Sequence, residues 1–194
     1  MFPILIALGL LAQDKPSPPA DAPCVAIVLP SVEGVDDSTT VAMSVRSLFQ
    51  SYLTGPSLRS IALDSKLASQ ANQEAIQKQC TKVLTVSMTR KAGGNGKSKV
   101  ATAAQAAGSA AGYIPGGGIA VAGAAAGAQA IGSLAFNTRA KDEVRIEYRV
   151  TSVDGAQILA PKTDSRKAQS NGEDIVTPLV ERASNAIAFV VTRK

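Results

Sequence analysis

The chain has 194 residues and a formal net charge of +5 at pH 7, and 45% of its residues are hydrophobic but only 4% are aromatic. This length suits one domain with an insertion, and without Trp the core must consist mainly of Val, Ile, Leu and Ala. The chain contains no His, so the commonest general base and the commonest metal ligand are both excluded.

Residues 2–12 form a short apolar run followed by polar Gln13, Asp14 and Lys15. Such a run is too short to span a bilayer and is typical of the apolar region of a secretory signal, although no Lys or Arg precedes it. We expect residues 1–12 to be a signal peptide; the alternative is a partly buried terminal strand or helix. Residues 13–23 are rich in Pro and predict an extended linker.

Export would place the two cysteines, Cys24 and Cys80, in an oxidising compartment where they can pair. Each precedes a predicted strand, so the two lie at the same end of adjacent strands if those strands are parallel neighbours. We therefore predict a disulfide between them. We do not expect lipidation of Cys24, because Asp21, Ala22 and Pro23 stand before it, far from the apolar run.

Three apolar segments alternate with two helical patterns in the first half of the domain. Residues 25–29 form a continuous apolar run, which is typical of a strand buried on both faces. Residues 31–37 predict a loop, and residues 58–63 and 81–88 predict the second and third strands. The order strand–helix–strand–helix–strand predicts a βαβαβ unit with a parallel sheet.

Capping residues mark the starts of the two helices. Asp37 or Ser38 can cap the first helix, and Asp64 or Ser65 can cap the second. The predicted inner faces follow helical spacing: Val41, Val45, Leu48, Phe49 and Tyr52 in the first helix, and Leu67, Ala71, Ala75 and Ile76 in the second.

The C-terminal part predicts a β-hairpin and a closing helix. Residues 143–150 alternate between apolar and polar, as in a half-solvated strand, and an Asp-Gly pair at residues 154–155 predicts the turn. Residues 156–159 would form the returning strand, residues 165–172 a loop, and residues 174–191 the helix. The predicted core consists of Val25, Ile27, Leu29, Leu48, Val83, Val86, Ile146 and Ile187.

A Gly/Ala-rich insert occupies about residues 92–138, between the third strand and the hairpin. A four-residue spacing of small residues places them on one face of a helix, as in helices that pack closely within membranes. A Pro-Gly-Gly-Gly sequence at residues 115–118 favours two helices and a tight turn; the alternative is a flexible loop. The glycines at this spacing are Gly108, Gly112, Gly116, Gly123 and Gly127.

Cations flank the insert on both sides: Arg90, Lys91, Lys97 and Lys99 precede it, and Arg139 and Lys141 follow it. The two ends of a hairpin lie on the same side, so these cations could face anionic lipid head groups, each contributing about 1 kcal/mol. The alternative is that they keep an apolar segment in solution. No aromatic residues are interspersed with them, so we do not expect nucleic acid as a partner.

No catalytic, cofactor or metal site is predicted. Residues 96–98 (Gly-Lys-Ser) resemble the end of a phosphate-binding loop, but Lys91 occupies the position where that loop needs Gly. No Ser lies in a Gly-x-Ser-x-Gly sequence. Glu33, Asp36 and Asp37 could bind a cation, but acids before a helix more often cap it. We therefore expect the protein not to be an enzyme.

Three segments, residues 25–30, 82–88 and 144–159, resemble the CsgG-type curli production assembly/transport family of bacterial envelope proteins. The last is the closest match, because it is a strand–turn–strand hairpin around Asp154 and Gly155 that follows a Gly-rich stretch. The resemblance implies an exported α/β domain that has no enzymatic activity and that oligomerises or binds partners at the envelope. The insert lacks the alternating pattern of membrane β-hairpins, which argues against a barrel-type pore.

The sequence thus predicts a single α/β domain over residues 24–194, with a βαβαβ core, a β-hairpin, a C-terminal helix and a helical-hairpin insert. We expect a non-catalytic envelope protein, in the periplasm or on the periplasmic face of the outer membrane. Its insert would mediate membrane contact or self-association, with an envelope protein as a further possible partner. The alternative is a soluble periplasmic binding or accessory domain with an inert Gly-rich loop.

Overall fold

The computed structural model describes residues 22–65, 67–93 and 138–193. In this part of the chain a six-stranded mixed sheet carries three helices, which confirms the α/β class and the C-terminal helix. The elements are β1 (Cys24–Ile27), β2 (Ser31–Glu33), α1 (Ser38–Leu53), β3 (Arg59–Ala62), α2 (Ala68–Gln77), β4 (Lys82–Lys91), β5 (Glu143–Ser152), β6 (Gln157–Lys167) and α3 (Val176–Thr192). The predicted signal peptide and nearly all of the insert lie outside the described residues.

The strand order is β3-β1-β4-β5-β6. β1 pairs in parallel with β3 and β4, and β5 pairs antiparallel with β4 and β6. The short strand β2 pairs in parallel with β4 beyond the end of β1. The prediction of a loop over residues 31–37 was therefore wrong for Ser31–Glu33, whose backbone groups pair with the part of β4 that β1 does not reach.

Helices cover the two faces of the sheet unequally. One large apolar cluster joins α1 and α3 to the sheet, with Phe49, Ile146 and Ile187 fully buried. A smaller cluster lies under α2 on the opposite face and contains Ala71, Ala75 and Val83. Most of the predicted core is confirmed, namely Val25, Ile27, Val83, Val86, Ile146 and Ile187. Leu29 and Leu48 are only partly buried, so for them the prediction was wrong.

The start of α1 is confirmed, because Asp37 caps it and accepts a hydrogen bond from the N–H of Thr40. On its inner face, Leu53 is buried where Tyr52 was expected.

The prediction for α2 was wrong at both ends of its apolar face, because Leu67 and Ile76 are 61% and 58% exposed. The N–H groups of Asp64 and Ser65 donate to the carboxylate of Glu74. These hydrogen bonds hold the two residues in the loop before α2, so neither caps it.

β6 is longer than the sequence indicated, since it continues to Lys167 where a loop from residue 165 was expected. As an edge strand it needs few apolar residues, so its polar half lacks the pattern of a buried strand. Ala160 and Pro161 together lie opposite Arg149 in a β-bulge, a site that tolerates Pro because a ladder hydrogen bond is already missing.

Candidate functional site at the base of the insert

The two ends of the insert leave the domain at neighbouring strand ends. β4 ends at Lys91 and β5 begins at Glu143, and these residues are paired in the antiparallel ladder. Residues 94–137 therefore belong to the connection between two adjacent strands. We call the residues on either side of it, 90–93 and 138–142, the insert base.

The carboxylate of Asp142 joins the two sides of the insert base, and the residue is only 1% exposed. Its Oδ1 accepts a hydrogen bond from the backbone N–H of Gly93 at 2.8 Å. Its Oδ2 accepts from the backbone N–H of Arg139 at 2.9 Å and from Nη2 of Arg90 at 2.6 Å. One side chain thus binds donors from the end of β4 and from the approach to β5. We call these four residues the Asp142 network.

Burial and hydrogen bonding act on the Asp142 carboxyl in opposite directions. Burial removes water from the ionised form and by itself raises the pKa. The hydrogen bonds from Arg139, Arg90 and Gly93, with the positive charge of Arg90, more than offset this and hold the pKa of Asp142 below its usual range. Asp142 is therefore ionised at neutral pH, and its charge is balanced by Arg90 in a largely buried ion pair.

The segment after β6 supports the exit side of the insert base. The N–H of Lys141 donates to the carbonyl oxygen of Ala168, and the N–H of Ala168 donates to that of Asp142, both at 2.8 Å. The N–H of Ala140 donates to Oδ1 of Asn171 at 2.9 Å. Residues 140–142 are therefore hydrogen-bonded to the segment after β6, on the side away from β4.

Two glycines allow the close backbone contacts around the network. A Cβ atom at Gly93 would overlap the backbone of Lys141, across the insert base. A Cβ atom at Gly34 would overlap the carbonyl oxygen of Arg90, and Gly34 also has φ +78°. Neither glycine could be given a role from the sequence, because these contacts join segments far apart in the chain.

The predicted basic flank divides into two groups. Arg90 directs its guanidinium at Asp142, and its side chain is only 16% exposed, so it belongs to the network. Three of the predicted cations have exposed positions at the insert base: Lys91, Arg139 and Lys141. The other two lie outside the described residues: Lys97 and Lys99.

Lys167 is a further cation near the insert base that the sequence analysis missed. It pairs with Glu143 in the β5–β6 ladder, its Nζ lies 4.0 Å from the Glu143 carboxylate, and its side chain is 71% exposed. Lys91, Glu143 and Lys167 therefore form one row across three strands. Only the strand register brings Lys167 to this place, so no local sequence signal could have identified it.

The predicted disulfide between Cys24 and Cys80 is confirmed. Both cysteines are buried and their Cα atoms are 4.8 Å apart. Cys24 begins β1 and Cys80 stands just before β4, and these parallel strands are neighbours. The disulfide therefore joins the same ends of two adjacent strands, as the sequence analysis expected.

The remaining predicted site residues lie in the insert and outside the described residues: Gly108, Gly112, Gly116, Gly123 and Gly127. Among the described residues, no helix is both long and apolar enough to cross a bilayer. The same residues contain no group of three or more His, Cys, Asp and Glu side chains placed to hold a metal ion.

No protein-family model matches the chain, and no curated protein matches it. Among solved structures, the chain is similar to the PelC dodecamer from Paraburkholderia phytofirmans, with 12% identity and a TM-score of 0.47 over 92% of this chain and 96% of that chain. A variant PelC dodecamer from the same organism has 12% identity and a TM-score of 0.46 over 93% and 96%.

A homolog of neuraminyllactose-binding hemagglutinin from Helicobacter pylori has 10% identity and a TM-score of 0.40 over 93% and 86% of the two chains. All three TM-scores are below 0.5, so these similarities do not indicate a function for this chain.

Proposed function

We propose that the chain is a non-catalytic protein of the cell envelope whose α/β domain presents the insert for membrane contact or self-association. The observation that carries the proposal is the Asp142 network. A buried carboxylate holds together Gly93 and Arg139, which flank the insert on its two sides. Two flanks held at one place favour a segment that acts as one unit.

The Cys24–Cys80 disulfide supports export, because such bonds persist in oxidising compartments and are rare in the cytosol. The apolar run at residues 2–12 agrees with this location. The resemblance of residues 144–159 to the CsgG-type family leads us to propose the same class of envelope protein.

The edges of the sheet favour the insert over edge pairing as the route to self-association. At one edge, β6 carries Pro161 in a bulge and several charged side chains. On the other side of the sheet, β3 has only four residues, and Nζ of Lys78 donates to the carbonyl oxygen of Ala62. β2, which pairs with β4 alone among the described strands, has only three. Pro, bulges, Lys side chains and short strands all oppose pairing with a second chain.

The proposal is tested by replacing residues 94–137 with a short Gly/Ser linker. Gly93 contacts Lys141, three residues after Thr138, so the gap is at most about 15 Å and a linker of about six residues spans it. We expect the full chain to fractionate with membranes in high salt but not in detergent, or to cross-link as an oligomer. The replacement variant should lose both properties and keep its thermal transition.

The glycine spacing is tested by Gly112→Leu with Gly123→Leu, against the control pair Ala110→Leu with Ala125→Leu. Both pairs raise hydrophobicity, but only the first blocks close approach along the glycine face. We expect the Gly112→Leu and Gly123→Leu double variant to lose cross-linked oligomers and the alanine control variant to keep them. If the full chain neither pellets with membranes nor cross-links, the soluble accessory domain with an inert loop is the correct reading.

A further inference from the structure

The β4–β5 ladder ends before the insert begins. Its last pair is Lys91 with Glu143, so ladder hydrogen bonds place neither Gly93 nor Arg139. The Asp142 carboxylate binds the N–H groups of these two residues instead. The region in which the two chain segments are held together is thereby extended from residues 91 and 143 to residues 93 and 139.

We infer that Asp142 is a positioning residue, through which the folded domain holds together the two chain segments that lead into and out of the insert. This inference rests on the proposed function, since it states how the domain controls the segment that makes the contact. The network holds the backbone of Gly93 against that of Lys141. It also fixes the backbone from which the exposed cations Arg139 and Lys141 project towards any anionic surface that the insert approaches.

Asp142→Asn is the informative substitution, because it keeps the shape of the side chain and replaces one acceptor oxygen with a donor. An amide nitrogen in the place of Oδ2 would face two donors, from Arg139 and Arg90. In the place of Oδ1 it would face one, from Gly93. The second arrangement costs less, so we expect the variant to release Gly93 and to keep the contacts of Arg139 and Arg90.

Amide hydrogen exchange on the full chain tests this geometry directly. In Asp142→Asn, we expect Gly93 to exchange about ten- to a hundredfold faster, the factor for loss of a charge-assisted hydrogen bond. Amides within the β4–β5 ladder should keep their protection. Unchanged exchange at both Gly93 and Arg139 would show that Asp142 does not hold the insert base, whatever the insert does.

Association with vesicles that contain anionic phospholipid, and chemical cross-linking, test the consequence. We expect the Asp142→Asn variant to bind vesicles less than the wild type, or to form fewer cross-linked oligomers than the wild type. Two controls separate positioning from other effects. Asp154→Asn makes the same chemical change at the opposite end of β5. Ile187→Val destabilises the core under α3 and leaves the insert base unchanged. Both should associate like the wild type at temperatures below their transitions.

The possible results separate the inference about Asp142 from the proposed function of the chain. If the wild type associates and a folded Asp142→Asn variant associates equally well, the inference is wrong and the proposed function stands. If the wild type does not associate, the proposed function fails, and the exchange experiment still decides whether Asp142 holds the insert base. Should Asp142→Asn not fold, Gly93→Ala is the second variant, because a Cβ atom there overlaps the backbone of Lys141 and forces the two sides of the insert base apart. It should reduce association in the same direction, and unchanged association would count against the inference.

Discussion

At the scale of single residues, glycines and carboxylates hold the loops of this domain in place. Gly34 touches the backbone of Arg90 and has a positive φ, whereas a Cβ atom at Gly55 would meet nothing within 4 Å. Among the carboxylates, Glu74 accepts hydrogen bonds from the N–H groups of Asp64 and Ser65 and from Nζ of Lys78. The effect of a substitution at these positions depends on such contacts more than on residue type.

Gly34→Ala should destabilise the protein by about 2–4 kcal/mol, because the new Cβ atom meets the Arg90 carbonyl and the left-handed backbone disfavours Ala. The matched control is Gly55→Ala, which should change the free energy of unfolding by less than about 1 kcal/mol. Denaturant titration of both variants measures the difference. Equal midpoints for the two would contradict the close contact between Gly34 and Arg90.

Glu74→Gln should lower stability at neutral pH by about 1 kcal/mol, because a surface carboxylate loses part of its charge-assisted hydrogen bonding. The hydrogen bonds from Lys78, Ser65 and Asp64 lower the pKa of Glu74 to about 2. A depressed pKa stabilises the fold above the unfolded value, and this contribution is lost as pH falls from about 4.5 to about 2.

The difference in unfolding free energy between the wild type and Glu74→Gln should therefore shrink across that pH interval. Glu147→Gln, at an exposed position of β5, is the control for the carboxylate-to-amide change and should leave stability at neutral pH nearly unchanged. A difference that stays constant down to pH 2 would show that the carboxylate charge of Glu74 does not stabilise the loop.

At the scale of elements, the two helices α1 and α3 and the strand β5 share the larger core. β5 alternates strictly, with Val144, Ile146, Tyr148 and Val150 buried and the intervening residues facing solvent. Tyr148 keeps its polar end satisfied, because its hydroxyl donates to Asp164 at 3.1 Å on the neighbouring edge strand. Burial, with the negative charge of Asp164, raises the pKa of Tyr148 to about 12.

Phe49→Ala and Ile187→Ala should each cost about 2–5 kcal/mol, because both side chains are fully buried and each truncation leaves a cavity. Leu48→Ala should cost less, since Leu48 lies at the margin of the same cluster. Lys162→Ala, at an exposed position of the edge strand β6, should have little effect. Denaturant midpoints for the four variants should follow this order, and a larger loss at Leu48 than at Phe49 would contradict the assigned face of α1.

At the scale of the whole molecule, two long-range links join distant parts of the chain. The disulfide joins residues separated by 56 positions, and Asp142 bonds Gly93 across 49 positions. The first link closes the parallel half of the sheet. The second closes the base of the insert at the start of the antiparallel half. The disulfide reduces the conformational freedom of the unfolded chain. The Asp142 hydrogen bond acts in the folded protein, where it holds Gly93 beside the start of β5.

Cys24→Ser with Cys80→Ser should lower the free energy of unfolding by about 4 kcal/mol in the chain-entropy model for a loop of this length. Thermal unfolding of the double variant against the oxidised wild type measures the loss. A thiol assay on the denatured, unreduced wild type should detect no free thiol, and two free thiols would refute the disulfide.

The sequence by itself determined the elements whose signal is local. The alternation of residues 143–150 predicted the buried side of β5, the Asp-Gly pair predicted the turn, and Asp37 predicted the start of α1. Each of these signals depends on side-chain period or on capping chemistry within a few residues. The disulfide was also predictable, because the only two cysteines lie at the start of β1 and just before β4, two strands of the parallel unit.

Only the tertiary structure decided which distant residues meet. Ser31–Glu33 became a strand because β4 extends beyond β1, and polar β6 continued to Lys167 because β5 supplied its partner. From the sequence, Arg90 was one member of a basic flank and Asp142 had no assigned role, yet the two form a buried ion pair. Such contacts follow from strand register and from the packing of remote segments, and neither quantity is encoded in a short stretch of sequence.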